Sequence, residues 1–496
     1  MNLAELLFGD DTGADDDVVI YVNELRVTRG QLRDAATRLA VVLRAAGVEP
    51  GDAVGVMLPN GAAAVAALFG VWRTRAVHVP LNPRATGAEI GRVMDALDPT
   101  VLITTTDHDA RTGDGRGLVV AGADAPIGWE LARPVTPRAS RRYGDRIALV
   151  QSTSGTTGPP KPVLIEHDTV VELMDNVLRK IRGGGPEGRG HAPPNLIPLS
   201  LSLWAGIYNV LFAFRVGAPL VLMSEFEPRQ FARLVREHAI SSVVLPPAAM
   251  AMLCDTDDVT DLSPLRFVRS ITAPLSPFQA RRFVERFGVA VLNCYGQTEI
   301  GGEIIGWNAS DWRTFGDTKL GAVGRPHEGV EVRVLDEAGA DVIDDVVGEL
   351  CVRTPAVTAG YADGRDLSDR LTPDGWFRTG DLGRVDADGF VWIEGRVSGM
   401  VNRGGLKVFP AEVEEVIRAV PGVHDVAVVG APDDRLGEIP WAFVVADHEL
   451  DVAALETECR AHLAPYKVPA RFMRVEELPR NDVGKVVTHQ LLERSA

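Results

Sequence analysis

Up to about residue 395, apolar positions at helical spacing alternate with short unbroken apolar runs. Gln31 to Ala46 places Leu32, Ala35, Leu39, Val42 and Leu43 on one side and predicts a helix. Ala53 to Leu58 reads as a buried strand, Gly61 to Val71 as a helix of small residues, and Ala76 to Pro80 as another strand. Leu203 to Met223 is nearly all apolar, but Arg215 interrupts it and Gly217-Ala218-Pro219 would break a helix. It predicts a buried helix over about 203–215, a turn and a strand from Leu220 to Met223, not a membrane span. Unbroken apolar strands between helices imply parallel sheets covered on both faces. The glycine- and arginine-rich stretch Ile181 to Pro194 reads as a mobile surface loop.

From about residue 348 the pattern changes to short alternating strands, Gly348 to Thr354 and Phe390 to Glu394. After Arg396 come a hairpin, a helix (Ala411 to Ala419), two strands (Val423 to Gly430, Trp441 to Ala446) and a helix (Asp451 to His462). The predicted class is α/β: a large domain of layered, mostly parallel sheets flanked by helices (1–395), a hinge (396–399) and a small α+β domain (400–496).

Composition narrows the function. Of 496 residues, 46% are hydrophobic and 24% charged, ordinary for a globular enzyme of several cores. The net charge of −17 argues against nonspecific binding to nucleic acid or anionic membranes. Cys254, Cys294, Cys351 and Cys459 lack metal-ligand spacing and suit a reducing compartment. The N-terminus runs into acidic residues at Asp10, Asp11 and Asp15 to Asp17, unlike a signal peptide, so the expected location is the cytoplasm.

The strongest chemical signal follows the apolar run Ile147 to Val150. Thr153, Ser154, Gly155, Thr156, Thr157, Gly158 and Lys161 place two glycines, four hydroxyls and a lysine within nine residues. Glycines let backbone N–H groups approach an anion, hydroxyls donate to its oxygens and the lysine adds charge, which is what a polyphosphate requires. This is not a Walker loop: Lys161 stands three residues after Gly158, and Pro159, Pro160 and Pro162 have no N–H to give. A solvated linker of the same composition is the plain alternative. Tyr295, Gly296, Gln297, Thr298 and Glu299 follow a second apolar run; a carboxylate beside a hydroxyl at a strand end suits a magnesium ion bridging phosphates, though a turn tyrosine and a surface glutamate fit the pentad equally. Asp381 closes Gly375-Trp376-Phe377-Arg378-Thr379-Gly380 and would accept a ribose's hydroxyls, or simply cap a turn. Gly395-Arg396 follows, and Lys485 lies on an extended segment near the C-terminus.

In this order, together with Gly321 to Pro326 and Leu463 to Pro469, the segments resemble the adenylate-forming superfamily: acyl- and aryl-CoA ligases, peptide-synthetase adenylation domains and luciferases. The likeness spans roughly residues 20–490. It implies ATP-dependent activation of a carboxylate as an acyl-adenylate, after which the small domain rotates and a thiol displaces AMP. On matching positions it implies that the 153–161 loop holds the β,γ-phosphates, and that Thr298 and Glu299 hold the α-phosphate and Mg2+. Tyr295 would stack on adenine with Asn293 at its amino edge, Asp381 and Arg396 would bind ribose, and Lys485 would bridge carboxylate and α-phosphate.

The chain departs from the family pattern in several places. Pro162 stands where glycine is usual, Ser398 and Gly399 where the hinge is usually acidic, and Ile271-Thr272-Ala273-Pro274 where the acyl pocket usually has Gly-Ala-Pro. Pro198 to Trp204 lacks the histidine of many acyl-CoA ligases, and Ser200 cannot supply the aspartate that pairs an α-ammonium, which argues against an α-amino acid. Candidate pocket residues are Ser200, Trp204, Gly206, Asn209, Thr272, Ala273, Gly301 and Gly302, a mixture suiting an aryl or short-to-medium acyl carboxylate. Arg403, Gly404, Gly405 and Lys407 resemble the CoA-ligase hairpin beside a pantetheine tunnel. With no carrier domain appended, the expected partners are a small carboxylic acid and CoA, or a separate carrier protein. The alternative keeps adenylation and passes the activated group to a carrier protein, a nitrogen or another non-CoA acceptor. A nucleotide-binding regulator is the non-enzymatic reading, and joint retention of Lys485, Glu299 and Asp381 argues against it.

Overall fold

The computed structural model describes the chain apart from residues 106–116, 122–126, 134–141, 154–160, 183–191, 344, 447–450, 481–484 and 494–496. Five parallel strands form the centre of a seven-stranded sheet, in the spatial order Gly117–Ala121, Val101–Thr104, Ala53–Val56, Val77–Pro80 and Ile147–Thr153. Antiparallel strands Trp129–Arg133 and Lys161–Glu166 close its edges. Pro162 therefore falls within an edge strand. Pro162, lacking a ladder donor, is tolerated there, and its carbonyl accepts from Ala362 N at 2.7 Å.

The first predicted helix spans Arg29–Ala45, slightly earlier than its apolar pattern suggests, because Thr28 caps it. The Thr28 hydroxyl accepts from Gln31 N (3.3 Å), and the Gln31 side chain accepts from Thr28 N (2.9 Å). Leu32, Ala35, Leu39 and Leu43 are buried against Ala62–Arg73, a helix buried along nearly its whole length. A Cβ on Gly70 would lie 3.0 Å from the Ala36 carbonyl, so the small residue sets how closely these two helices pack. The apolar stretch after Leu203 is the buried helix Trp204–Val216, ended by Gly217 at φ 72°, then the strand Leu220–Leu222. Among the described residues no helix is long and apolar enough to cross a membrane. The expected loop from 181 lies largely outside the described residues; the helix before it runs His167–Arg182.

A second sheet carries parallel strands Ser242–Leu245, Phe267–Ser270 and Ala290–Gln297, followed by antiparallel Gly302–Gly306 and Arg325–Pro326. The strands predicted at Gly348 to Thr354 and Phe390 to Glu394 belong to a wholly antiparallel sheet, Glu331–Leu335, Gly348–Arg353, Phe377–Val385 and Val391–Arg396. A single 3-10 turn, Val397–Gly399, connects it to the C-terminal sheet. There Val401–Arg403, Leu406–Val408, Val423–Asp433, Gly437–Ala446 and Arg471–Arg474 pair. The helices Pro410–Arg418 and Val452–His462 share a separate core with them, including Val413, Ile417, Leu455 and Cys459. The architecture is mixed α/β, a large N-terminal sheet domain with a small C-terminal one.

Two buried histidines tie this scaffold to pH. Burial holds His78 down to about 3, and its Nδ1 has no hydrogen-bond partner. His167 is held at about 4, first by burial and then by the nearby N-terminal ammonium; its Nδ1 accepts from Leu3 N at 3.1 Å. Both stay neutral when folded, while in the unfolded chain they protonate near 6.5. Stability is therefore complete above pH 6.5 and is lost as the pH falls below it. Each histidine contributes a slope of about 1.4 kcal/mol per pH unit until its folded value is reached. Urea unfolding at pH 7, 6 and 5 is expected to show this decline, and His78→Leu to flatten it by one proton's worth.

Candidate active site

Strands of the second sheet end at a cavity of about 1920 Å³, which the C-terminal domain closes from the other side. Its size exceeds the usual single-ligand pocket of roughly 300–1,000 Å³ and leaves room for more than one substrate. Ends of parallel strands are where open α/β sheets bind ligands.

The strand Ala290–Gln297 is longer than the apolar run Val289 to Leu292 indicated, so Tyr295, Gly296 and Gln297 belong to it rather than to a turn. Gly296 is needed there: a Cβ would sit 1.7 Å from the Gly302 carbonyl oxygen of the neighbouring strand. The 3-10 turn Thr298–Ile300 then sets Thr298 and Glu299 on the cavity wall, and Asn293 lines it from the strand.

Asp381 is the hub of the site. It is buried, and its Oδ2 accepts from the Tyr295 hydroxyl at 2.7 Å and from Gln297 Nε2 at 2.6 Å. Its Oδ1 lies 2.9 Å from Arg396 Nε, in register across the strand pair Phe377–Val385 and Val391–Arg396. Burial, then the Asp381 charge, pushes the Tyr295 phenol well above its ordinary value, so it stays a neutral donor. Arg370 braces the same group, donating to the Thr379 carbonyl at 2.9 Å.

Lys485 reaches this group from the C-terminal domain and lines the same cavity. Burial lowers its pKa, as does the Arg396 charge, while Asp381 and Glu299 act in the opposite direction. An ammonium held short of full solvation beside two carboxylates is suited to meeting incoming negative charge.

Thr153 closes the strand Ile147–Thr153, where it pairs with Lys161, and Lys161 lines the cavity. Ser154, Gly155, Thr156, Thr157 and Gly158 lie outside the described residues. Of the pocket candidates, Trp204, Asn209, Thr272, Ala273 and Gly302 line the cavity. Ser200, Gly206 and Gly301 are not among the residues lining it. A Cβ on Gly206 would lie 2.1 Å from the Ser200 carbonyl, and the Gly301 carbonyl accepts from Trp204 Nε1 at 2.8 Å. Arg403, Gly404, Gly405 and Lys407 are also away from the cavity: Arg403 donates to the Tyr466 carbonyl at 2.6 Å and Lys407 pairs with Glu337.

Polar wall residues that the sequence reading passed over include Arg269 and Glu303, which form a largely buried pair, with His327 Nε2 3.0 Å from the same Glu303 oxygen. The available signal was a lone arginine in the apolar strand Phe267–Ser270, since a buried charge needs a partner. Cys254, Cys351 and Cys459 are buried, whereas Cys294 is half-buried in the cavity wall.

Comparison with known proteins agrees with this geometry. A family model described as AMP-binding enzyme matches residues 10–362, and one described as AMP-binding enzyme C-terminal domain matches 412–485. The chain belongs to the adenylate-forming, AMP-binding enzymes. Among its relatives in this superfamily is the sulfoacetate–CoA ligase of Cupriavidus necator, 32% identical over 488 residues, covering 95% of this chain and 92% of the relative. The fatty acid–[acyl-carrier-protein] ligase ScoC of Streptomyces coeruleorubidus is 30% identical over 491 residues, covering 94% and 91%. The ATP-bound crystal structure of MatB from Rhodopseudomonas palustris superposes with a TM-score of 0.87 at 26% identity, covering 99% of this chain and 98% of that one. This adenylate-forming enzyme is accordingly an AMP-forming acid–thiol ligase.

Proposed function

We propose that the enzyme activates a small carboxylic acid as its acyl-adenylate and transfers the acyl group to the thiol of CoA. The observation that carries this reading is the convergence of Lys485 with Asp381, Arg396 and Glu299 on one cavity.

In the first step a carboxylate oxygen of the acid attacks the α-phosphorus of ATP. The α–β phosphoanhydride bond breaks and pyrophosphate leaves. Two anions must meet, so charge neutralisation and positioning carry most of the work. We assign Lys485 to the position between the carboxylate and the α-phosphate, Thr298 to a hydrogen bond on the α-phosphate, and Lys161 with the 153–158 segment to the departing phosphates. Asp381 and Arg396 are assigned to the ribose, Tyr295 to the face of the adenine, Asn293 to its edge, and Gly296 and Gln297 to shaping that wall. In the second step the thiolate attacks the acyl carbon, the acyl–phosphate C–O bond breaks and AMP leaves.

The donor set fits magnesium carried largely by phosphates. Among the described residues no three histidine, cysteine, aspartate or glutamate side chains group as a metal cage, so Glu299 would hold the ion by one carboxylate. Bound there, it would neutralise phosphate charge.

Trp204, Asn209, Thr272, Ala273 and Gly302 support an aryl or short-to-medium acyl substrate. Arg403, Gly404, Gly405 and Lys407 belong, on this reading, to a second arrangement of the C-terminal domain in which the thiol arrives. A carrier protein as acceptor is the second reading, favoured by the likeness to the carrier-protein ligase over 94% of the chain.

Mass spectrometry of reactions with ATP, magnesium and a panel of aryl, cinnamic-type, aliphatic and amino acids, each with and without CoA, tests this. An acyl-CoA product is expected. AMP and pyrophosphate with no acyl-CoA would instead favour a carrier protein or another acceptor, and no nucleotide turnover with any acid would contradict both readings.

A further inference from the structure

Three carboxylates project from the helix Pro410–Arg418 of the C-terminal domain, and they differ in what they hold. Glu412 pairs with Lys467 at 2.6 Å, and Glu414 accepts from Val428 N at 2.8 Å, both within their own domain. Glu415 crosses to the N-terminal domain, where its Oε1 accepts from Phe278 N at 2.9 Å.

Phe278 is the second residue of the helix Pro277–Phe287, and the first turn of a helix carries N–H groups with no partner inside it. Pro277 has no N–H to offer. The N–H of Gln279 is taken by the Ser276 hydroxyl at 3.1 Å, and that of Ala280 by the Ser276 carbonyl at 3.0 Å. The Phe278 N–H is the one that Glu415 satisfies. The contact also sets a carboxylate at the positive end of the helix, where it is favoured. The second Glu415 oxygen is buried with no hydrogen-bond partner, and Arg418 Nη1, in the same helix, is 3.7 Å from it. Another crossing, Lys407 to Glu337, lies at the surface, where ion pairs contribute little.

We propose that Glu415 is a positioning residue for adenylation: by capping the helix Pro277–Phe287 it docks the C-terminal domain in the orientation that puts Lys485 in the cavity. This rests on the two-step reading above. A contact made in one domain arrangement and absent from the other biases the equilibrium by its own differential free energy. When the domain rotates for thiol transfer, the Phe278 N–H loses its cap and Glu415 its partner, so the contact favours the first half-reaction alone.

The test measures the half-reactions separately in the full-length enzyme: acid-dependent ATP–pyrophosphate exchange, and thiolation of supplied acyl-adenylate. Glu415→Ala is expected to lower kcat for exchange about tenfold, the scale of a charge-assisted hydrogen bond, with KM for ATP and acid little changed. Glu415→Gln, which keeps an acceptor but loses the charge, falls between it and wild type. Thiolation stays at the wild-type rate or rises. Glu412→Gln, removing a carboxylate from the same helix without touching the other domain, leaves the ratio of the half-reactions unchanged. Equal loss in both half-reactions of Glu415→Ala, no change in either, or the same split from Glu412→Gln would overturn the proposal while leaving adenylation intact. Absence of acid-dependent exchange in the wild type would overturn the adenylation reading and this one with it.

Discussion

Replacing Lys485 with alanine is expected to lower acid-dependent ATP–pyrophosphate exchange by about 10²–10³-fold, the usual consequence of removing one group aimed at developing transition-state charge. Thiolation of a preformed acyl-adenylate should proceed at nearly the wild-type rate. The reason is geometric. Lys485 enters the cavity from the C-terminal domain, beside Glu299, Asp381 and Arg396, and the charge it would meet exists only while carboxylate and α-phosphate approach each other. Once the adenylate has formed, that demand is gone. Single-turnover measurements of each half-reaction decide the matter; equal losses in both would remove Lys485 from the first step.

Asp381→Asn should behave differently. Its carboxylate takes donors from Tyr295, Gln297 and Arg396 at once. An asparagine amide there would offer one acceptor and bring a donor among donors, leaving Arg396 without its partner. Hydrogen bonds to charged groups are worth about 1.5–3 kcal/mol, so the affinity for ATP and AMP is expected to fall by roughly 10–100-fold. Because the AMP portion stays bound through both steps, both half-reactions should weaken at subsaturating nucleotide. Calorimetric titration with AMP checks this, and an unchanged AMP affinity would take Asp381 out of the nucleotide site.

Much of the scaffold was legible because each element carries a local signal. Leu32, Ala35, Leu39 and Leu43 recur at helical spacing, and Gly217 marks where the helix Trp204–Val216 stops. What was not legible depends on partners distant in sequence. Nothing near Asp381 announces that Tyr295, 86 residues away, donates to it, and Glu415 gives no local sign of its contact with Phe278, 137 residues away. Packing also accounts for residues that the family resemblance had grouped. A Cβ on Gly206 would meet the Ser200 carbonyl, and Gly301 sits at φ 78° in its turn. The strand Ala290–Gln297 outran its apolar stretch because pairing with Gly302–Gly306 continues after the apolar residues end. The order of the motifs carried the family assignment, and Lys161 lines the cavity wall with Pro162 directly after it.

The most direct test of the central claim follows an oxygen atom. A substrate acid labelled with 18O in both carboxylate oxygens is turned over with ATP, magnesium and CoA, and the AMP is examined by mass spectrometry. Attack of the carboxylate on the α-phosphorus, followed by cleavage of the acyl C–O bond, predicts one 18O per AMP and none in pyrophosphate. Unlabelled AMP, or label found in orthophosphate alongside ADP, would contradict activation through an acyl-adenylate.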